Sequence, residues 1–273
     1  MNNPKVSVII PTFNSASFIK RTLASVLAQT YGDFEIIISD DGSADNTREI
    51  VEDYLRKNSS TPWKVIKNPH RGPGAARNAG IKAASGEWIA FLDSDDLWLP
   101  QKLEKVMNYA QYNKKAQLIS HSELWLYPDG KTKVANYYKM YKENVDPFLN
   151  FWRKNLLATS AVTVKKNVFS LSGLFDENLY NNQDYDLWLR IVQHVRPYYL
   201  NEVLDIYYVR KKGISQNHLR RLKYRLLIGR KYIDIIKQKA RYPNLEIRGF
   251  FLRAYLSVAK SLLLSRNTTK DGL

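Results

Sequence analysis

Three carboxylates directly follow an apolar segment in the middle of the chain. Trp88 to Leu92 is an uninterrupted apolar run, and Asp93, Asp95 and Asp96 come next. A short run of this kind is typical of a strand buried on both faces of a parallel sheet. Because side chains alternate along a strand, we expect Asp93 and Asp95 to point to the same side. Two carboxylates at a strand's carboxyl end favour Mg²⁺ or Mn²⁺, which keep several waters and bind the oxygens of a diphosphate.

The same acidic residues are compatible with a solvated turn, since Asp and Ser commonly cap a helix and one is predicted to begin near Leu97. Two other polar blocks, Pro11 to Asn14 and Asp40 to Ser43, also follow predicted strands. Strand ends of this kind meet at the ligand-binding edge of an open sheet, where a carboxylate can accept a hydrogen bond from a base or a ribose. Taken alone, Asp40 to Ser43 equally fits an ordinary turn.

A further block, Arg71 to Asn78, combines glycines, a predicted helix start and two guanidinium groups, and Arg77 is our candidate for binding a diphosphate. The block superficially matches a dinucleotide-binding fingerprint. It departs from that pattern because Arg77 stands where the third glycine belongs, and because the block follows the third predicted strand rather than the first. A phosphatase with an Asp-x-Asp nucleophile would carry its pair after the first strand, which here ends in Pro11 to Asn14.

Strands and helices alternate along the first part of the chain. Apolar runs typical of buried strands cover residues 6–10, 34–39, 63–66 and 87–92. Helical apolar spacing covers residues 15–30, 73–84 and 97–113, and a further helix is predicted to begin at Asp45. This order predicts an α/β fold with a mostly parallel, doubly wound sheet. From residue 116 the pattern is mixed, with strands predicted at 118–127, 159–164 and 200–209 and helices at 183–195, 216–240 and 246–265.

Positive charge is concentrated at the end of the chain. From Arg210 to Leu273 there are 17 lysines and arginines against three acids, whereas residues 1–209 carry 25 against 23. This asymmetry predicts an anionic partner, either a lipid surface or nucleic acid. The sequence has no cysteine, which excludes disulfides and thiolate metal sites. We find neither a signal peptide nor an apolar run long enough to span a bilayer, and we expect a cytoplasmic location.

Five blocks, in this order and spacing, resemble the signature of family 2 glycosyltransferases. They are Val8 to Asn14, Ser39 to Ser43, Ala75 to Asn78, Leu92 to Asp96 and Asp184 to Trp188. The resemblance covers residues 5–215 and implies a GT-A fold with a Rossmann-like sheet and flanking helices. Residues 1–115 then bind a nucleotide-sugar, residues 116–215 bind the acceptor, and residues 216–273 form a basic helical extension. The implied reaction is inverting transfer of a sugar from a nucleotide diphosphate, with a UDP-sugar as the expected donor, to a hydroxyl of a glycan or lipid-linked saccharide.

The resemblance also implies roles for individual residues. Asp184 corresponds to the catalytic base, which accepts the proton of the attacking hydroxyl. Asp95 holds Mn²⁺ or Mg²⁺, while Asp93 contacts the ribose or the metal's water shell. Asp41 accepts the N3 proton of uracil. Asp186 is expected to be an ordinary surface acid. The other expected donor-binding residues are Pro11, Thr12, Asn14, Arg77, Ser94 and Arg210.

Two positions depart from the family pattern. Gln183 precedes the expected base where the family usually has Glu, so a neutral amide replaces an acid. Aligning Tyr207 and Ser215 with the family's later motif places Arg210 where a histidine often stands, and arginine cannot ligate a metal. We therefore expect the metal to be held mainly by Asp95 and the donor. These two changes leave open a nucleotide-binding relative without turnover.

The last predicted helix, 246–265, alternates large apolar residues with arginines and lysines, a pattern typical of a helix in a lipid interface. Packing of its apolar side on the rest of the chain, or on a second copy in a homodimer, is an open alternative. No nucleic-acid recognition motif accompanies the charge, so we do not expect nucleic acid as a partner. The extension is predicted to bring the protein to the cytoplasmic face of an anionic membrane, beside a polyprenyl-linked saccharide.

Overall fold

A computed structural model describes residues 4–210 and 217–268. Its first part alternates strands and helices, as the apolar periodicity predicts. These elements are β1 (Val6–Thr12), α1 (Ile19–Leu27), β2 (Phe34–Asp40), α2 (Thr47–Asn58), β3 (Trp63–Lys67), α3 (Pro73–Ala83) and β4 (Trp88–Phe91).

The remaining elements are a second set of strands and helices, followed by three helices of the basic extension. They are β5 (Leu97–Trp98), α4 (Lys102–Tyr112), β6 (Leu118–Leu126), β7 (Thr132–Ala135), α5 (Tyr137–Met140), α6 (Pro147–Arg153), β8 (Thr163–Lys165), α7 (Val168–Ser172), α8 (Gln183–Ile191), β9 (Pro197–Tyr208), α9 (His218–Lys231), α10 (Ile233–Lys239) and α11 (Pro243–Thr268).

The structure corrects the expectation of a helix beginning near Leu97. Leu97 and Trp98 form a short strand paired antiparallel with β9, and α4 begins only at Lys102. The physical reason is Pro100, because the residue before a proline is disfavoured in the helical region. The expected strand at 159–164 also begins later, because Thr159–Ala161 form a 3₁₀ turn before β8.

The sheet is parallel in its first half and mixed in its second. The strand order is β3-β2-β1-β4-β8-β6-β9-β5, with β7 paired to β6. Strands β1 to β4 pair in parallel, as predicted, whereas β8 runs antiparallel to both of its neighbours. The carboxyl ends of β1, β2 and β4 therefore meet at one edge, which brings together the polar blocks that follow them.

The basic extension packs against the main apolar core through its buried side. Ile228, Tyr232, Ile236 and Phe250 belong to the same buried cluster as Trp188 of α8. Phe250 also stacks on Trp152 of α6, with ring centroids 4.0 Å apart. This side of the extension therefore packs on the rest of the chain, which is one of the two alternatives left open above. Among the described helices, none is long and apolar enough to cross a bilayer.

Candidate active site

A cleft of about 500 Å³ opens at the edge where β1, β2 and β4 end. Nine of the ten residues singled out in the sequence line it, although they are spread over some 200 positions of the chain. They are Pro11, Thr12, Asp41, Arg77, Asp93, Ser94, Asp95, Asp184 and Arg210. The cleft thus combines carboxylates and guanidinium groups, which can bind a cation and a diphosphate side by side.

Asn14 is the one such residue that does not line the cleft. Its backbone has a φ of 48°, in the left-handed region that asparagine tolerates. Its Oδ1 accepts a hydrogen bond from the backbone N–H of Ala44 at 2.9 Å. The side chain therefore ties the loop after β1 to the loop after β2, and its role in donor binding stays a prediction.

The carboxylate of Asp41 is fixed at one end of the cleft. It accepts hydrogen bonds from the backbone N–H groups of Arg71 and Gly72, each at 2.9 Å. Gly72 adopts a φ of 93°, which favours glycine, at the point where α3 begins. His70 lies 2.9 Å from the same carboxylate and stacks on Phe13. Both aromatic rings line the cleft. Sequence reasoning missed them as site residues, although Phe13 lies within the block Pro11 to Asn14 and His70 directly precedes the block Arg71 to Asn78.

Asp93 and Asp95 each lie beside an arginine. Arg77 donates to Asp93 at 2.5 Å, and Arg210 lies 2.9 Å from Asp95. About a third of each aspartate side chain is exposed, while Arg77 is only 5 % exposed. Burial, and then the neighbouring charge of Asp93, raise the pKa of Asp95. The two carboxylates thus sit close enough to repel each other, and an added cation would relieve this repulsion.

These carboxylates fit a hard divalent ion. Within residues 4–210 and 217–268, no group of three or more His, Asp or Glu side chains is arranged to hold a metal. Among these described residues, a metal would therefore find at most two carboxylates, and its other ligands would come from water and substrate. Mg²⁺ and Mn²⁺ accept that arrangement with oxygen ligands. Asp95 and Asp93 are the residues that would hold it.

The third carboxylate, Asp96, turns away from the cleft. It is 2 % exposed and accepts a hydrogen bond from Ser160 Oγ at 2.6 Å. The same Ser160 Oγ accepts the backbone N–H of Asp93 at 3.1 Å. Burial and the nearby acids raise the pKa of Asp96 well above its usual range. Asp96 anchors the acidic loop from beneath, so the alternative of a solvated acidic turn is wrong.

Asp184 lies in the first turn of α8, on the wall of the cleft. Asn182 occupies the N-cap position, so Asp184 is not the cap of this helix. The Asp184 side chain is partly buried, and burial raises its pKa, against smaller lowering effects of the backbone N–H of Tyr185 and then of the Arg77 charge. A carboxylate with a raised pKa is a stronger proton acceptor, which suits a general base.

Asp186 is not the surface acid that the sequence analysis expected. It is fully buried and accepts hydrogen bonds from Arg190 Nε at 3.0 Å, Lys231 Nζ at 2.8 Å and the Tyr232 hydroxyl at 2.8 Å. Two of these partners belong to the basic extension, some 45 residues away in sequence. That distance in the chain is why the local sequence gave no sign of the burial.

The end of the cleft next to Asp184 includes a residue that sequence reasoning missed. Tyr180, Asn181, Asn182 and Gln183 line this end, together with Arg221 of α9. By sequence, Arg221 belongs to the basic extension, and only the packing of α9 against the loop before α8 places it here. The basic extension therefore contributes to the cleft.

The chain is similar to known glycosyltransferases. The family described as Glycosyl transferase family 2 matches residues 7–157. An uncharacterized glycosyltransferase of Nostoc sp. is 42% identical over 132 residues, 48% of this chain and 40% of its own. An uncharacterized glycosyltransferase of Rickettsia typhi is 32% identical over 213 residues, which are 74% of this chain and 63% of the relative. The chain thus spans less than two thirds of these two relatives. One of Haemophilus influenzae is 28% identical over 97% of this chain and 87% of its own.

Two solved structures share the fold. The S. aureus TarS structure with UDP-GlcNAc has a TM-score of 0.72 at 23% identity, over 93% of this chain and 73% of that one. A Pyrobaculum calidifontis mannosyltransferase with GDP-Man and Mn²⁺ has a TM-score of 0.69 at 18% identity, over 98% of this chain and 76% of that one. These similarities confirm the GT-A fold. The family match covers more than half of the chain and includes the blocks at β1, β2 and β4 that line the cleft. This chain therefore belongs to glycosyl transferase family 2.

Proposed function

We propose that this protein is an inverting, metal-dependent glycosyltransferase. It transfers a sugar from a nucleotide diphosphate, with a UDP-sugar as the favoured donor, to a hydroxyl of a glycan or of a polyprenyl-linked saccharide. The observation that carries the proposal is a single cleft containing the Asp93 and Asp95 pair, the two arginines beside them and the partly buried Asp184. Relatives of the same fold bind UDP-GlcNAc and GDP-Man, the latter with Mn²⁺, which supports a nucleotide-sugar donor.

Donor binding in this proposal uses the loops after β1, β2 and β4. The Asp41 carboxylate, whose position is fixed by two backbone N–H groups, accepts a hydrogen bond from N3–H of the uracil ring. Pro11 and Thr12 lie beside that ring. Arg77 binds the diphosphate. Its Nε and Nη1 atoms are buried and have no hydrogen-bond partner among the described residues, so they can donate to phosphate oxygens.

The transfer step needs a base on the acceptor side. Asp184 accepts the proton of the acceptor hydroxyl while the hydroxyl oxygen forms a bond to the anomeric carbon of the sugar. At the same time the bond from that carbon to the diphosphate breaks. Attack from the face opposite the diphosphate inverts the centre. A bound Mn²⁺ or Mg²⁺ would supply positive charge that stabilises the leaving diphosphate. Arg77 and Arg210 add fixed positive charge on the same side.

The metal assignment predicts that Asp95→Asn weakens UDP binding in Mn²⁺ by about 10- to 100-fold, since one anionic ligand is lost. Titration calorimetry of UDP, with Mn²⁺ and with chelator, measures this directly. Asp53→Asn is the matched control, because Asp53 is an exposed acid on α2 that pairs with Lys57. If Asp95→Asn binds UDP in chelator as tightly as the parent protein binds it in Mn²⁺, the metal site is assigned wrongly.

A nucleotide-binding relative without turnover is the second candidate. Gln183 favours it, because a neutral amide stands beside the expected base where the family usually has an acid. Such a protein would bind UDP with metal but release no UDP from any UDP-sugar. Turnover of a bound donor, with or without an acceptor, would exclude it.

We further propose that the basic extension holds the protein on an anionic membrane surface. Helix α11 carries an exposed apolar stripe of Leu245, Leu252, Tyr255 and Leu256, with Arg248 on the same face. Helices that present such a stripe beside cations lie in lipid interfaces. The predicted helix 246–265 also includes Leu262, Leu263 and Leu264, whose side chains lie outside the described part of the structure.

The membrane proposal predicts that the full chain co-sediments with phosphatidylglycerol vesicles at low salt and less at high salt. Leu252→Ser with Leu256→Ser should weaken this binding roughly tenfold, because two exposed leucines leave the interface. The matched control is Val134→Ser, which changes an exposed apolar residue on β7. Equal sedimentation of parent and double variant would reject the membrane role and favour a second copy of the chain as the partner of the stripe.

A further inference from the structure

The cleft wall next to Asp184 includes one turn of the basic extension. Asn182, at the N-cap position of α8, donates from its side-chain amide to the backbone carbonyl of Arg221 at 3.1 Å. The Arg221 side chain is half-buried and lines the cleft. Helix α9 is therefore attached to the acceptor side of the site, and Arg221 is held there by a contact that does not involve its own guanidinium.

Arg221 differs from the other two arginines of the cleft. Arg77 lies beside Asp93 and Arg210 beside Asp95. The Arg221 guanidinium instead donates to Ser257 Oγ at 3.3 Å, and no carboxylate of residues 4–210 or 217–268 forms an ion pair with it. Burial, and then the neighbouring charge of Arg225, lower the pKa of Arg221. Burial and the charge of Arg225 thus disfavour the charged form of the guanidinium, and an anionic ligand would stabilise that form.

The surroundings of Arg221 favour an anion. Apart from Asp184, the residues that line this end of the cleft are neutral: Tyr180, Asn181, Asn182 and Gln183. Helix α9 has no acidic residue from His218 to Lys231, and it carries Arg220 over the Tyr180 ring at 5.1 Å. Arg220 and Arg221 therefore outweigh Asp184 in charge on this part of the cleft wall.

We propose that Arg221 forms a subsite for a phosphate group carried by the acceptor. This inference rests on the proposed function, in which the donor diphosphate occupies the Arg77 side and the acceptor enters beside Asp184. Guanidinium groups bind phosphate oxygens through two parallel N–H donors, which suits a phosphomonoester or phosphodiester. The phosphate can belong to a lipid-linked saccharide or to a phosphate-bearing polymer, and both share this chemistry.

The test is a titration of glycerol 3-phosphate and of farnesyl phosphate into the full chain, with UDP and Mg²⁺ at saturation so that the donor site is filled. Arg221→Gln should weaken binding of both probes by about 10- to 100-fold, and Arg221→Lys should lose less. Arg230→Gln, an exposed position on the same helix, should stay within about twofold of the parent. Tighter binding of farnesyl phosphate points to the lipid-linked source, and equal binding points to the polymer.

Three results would overturn the subsite: no binding of either probe to the parent, equal binding by the parent and Arg221→Gln, or a greater loss in Arg221→Lys than in Arg221→Gln. Because Asn182 contacts the backbone of Arg221, the substitution leaves that contact in place, and a thermal melt checks that each variant is folded. Failure of the proposed function is read separately, from a UDP titration made first. A protein that does not bind UDP can still show the difference between Arg221→Gln and Arg230→Gln.

Discussion

Asp184→Asn is expected to lower the rate of sugar transfer by about 10² to 10⁴, the range for loss of a general base, while UDP affinity stays near that of the parent. An asparagine keeps the size of the side chain but cannot accept the proton. Asp184 lines the same cleft as Arg77, but among the described residues it forms no ion pair with that guanidinium, which pairs with Asp93. The substitution therefore leaves the Arg77 and Asp93 pair in place. Calorimetry of UDP and a transfer assay together separate binding from chemistry.

The pH dependence of transfer gives a second readout of the same variant. The base works only when ionised, and burial raises the pKa of Asp184. The rate should therefore fall as the pH drops through a value above about 3.9, the ordinary pKa of aspartate. The residual activity of Asp184→Asn should lack that acidic limb. Near-normal transfer by Asp184→Asn would show that another group is the base.

Asp186→Ala is expected to lower the free energy of unfolding by about 3 to 5 kcal/mol, the cost of removing one partner of a buried ion pair. The fully buried carboxylate accepts hydrogen bonds from Arg190, Lys231 and Tyr232. Without it, the charge of Arg190 lacks its carboxylate, and α9 and α10 lose a polar contact to α8. Urea unfolding followed by circular dichroism measures the change.

Asp234→Ala is the matched control for Asp186. It removes an acid from the same extension, but the Asp234 side chain is 86% exposed and pairs only with Lys237 among the described residues. The free energy of unfolding of Asp234→Ala should stay within about 0.5 kcal/mol of that of the parent. If Asp186→Ala unfolds at the same urea concentration as Asp234→Ala, then the buried contact between α8 and the extension contributes little to stability.

The Asp186 contact also changes how the basic extension should be studied. Asp186 lies half a turn from Asp184 on α8, so the extension supports the helix that presents the expected base. A chain ending near residue 215 would lose Lys231, Tyr232 and Phe250, and would expose apolar side chains of the main core. Surface substitutions on α11 are therefore a cleaner probe of membrane binding than truncation.

The sequence predicted those features that depend on local periodicity. Strands β1 to β4 and the polar blocks after them follow from apolar spacing and from the rule that parallel strands present ligands at their carboxyl ends. The site residues meet in one cleft for that reason. The family resemblance added Asp184, whose helix follows a long loop, since periodicity alone could not place it beside β4.

The features that the sequence missed depend on contacts between distant parts of the chain. Asp96 and Asp186 look like surface acids until Ser160 and Tyr232 are brought against them, 64 and 46 residues away. Arg221 enters the cleft only because α9 packs beside Asn182. Local spacing carries no information on such pairings. The late start of α4 is different, because its cause is local: Pro100 disfavours the helical region at Leu99, directly before it.

Turnover of nucleotide-sugars by the parent protein tests the central claim most directly. The protein is incubated with a panel of UDP- and GDP-sugars, in Mn²⁺ and in chelator, and release of the nucleoside diphosphate is followed. We expect release from at least one donor in Mn²⁺, slow with water as the acceptor, and none in chelator or with Asp184→Asn. Release that is equal in Mn²⁺ and in chelator, or no release from any donor that binds, would contradict the account.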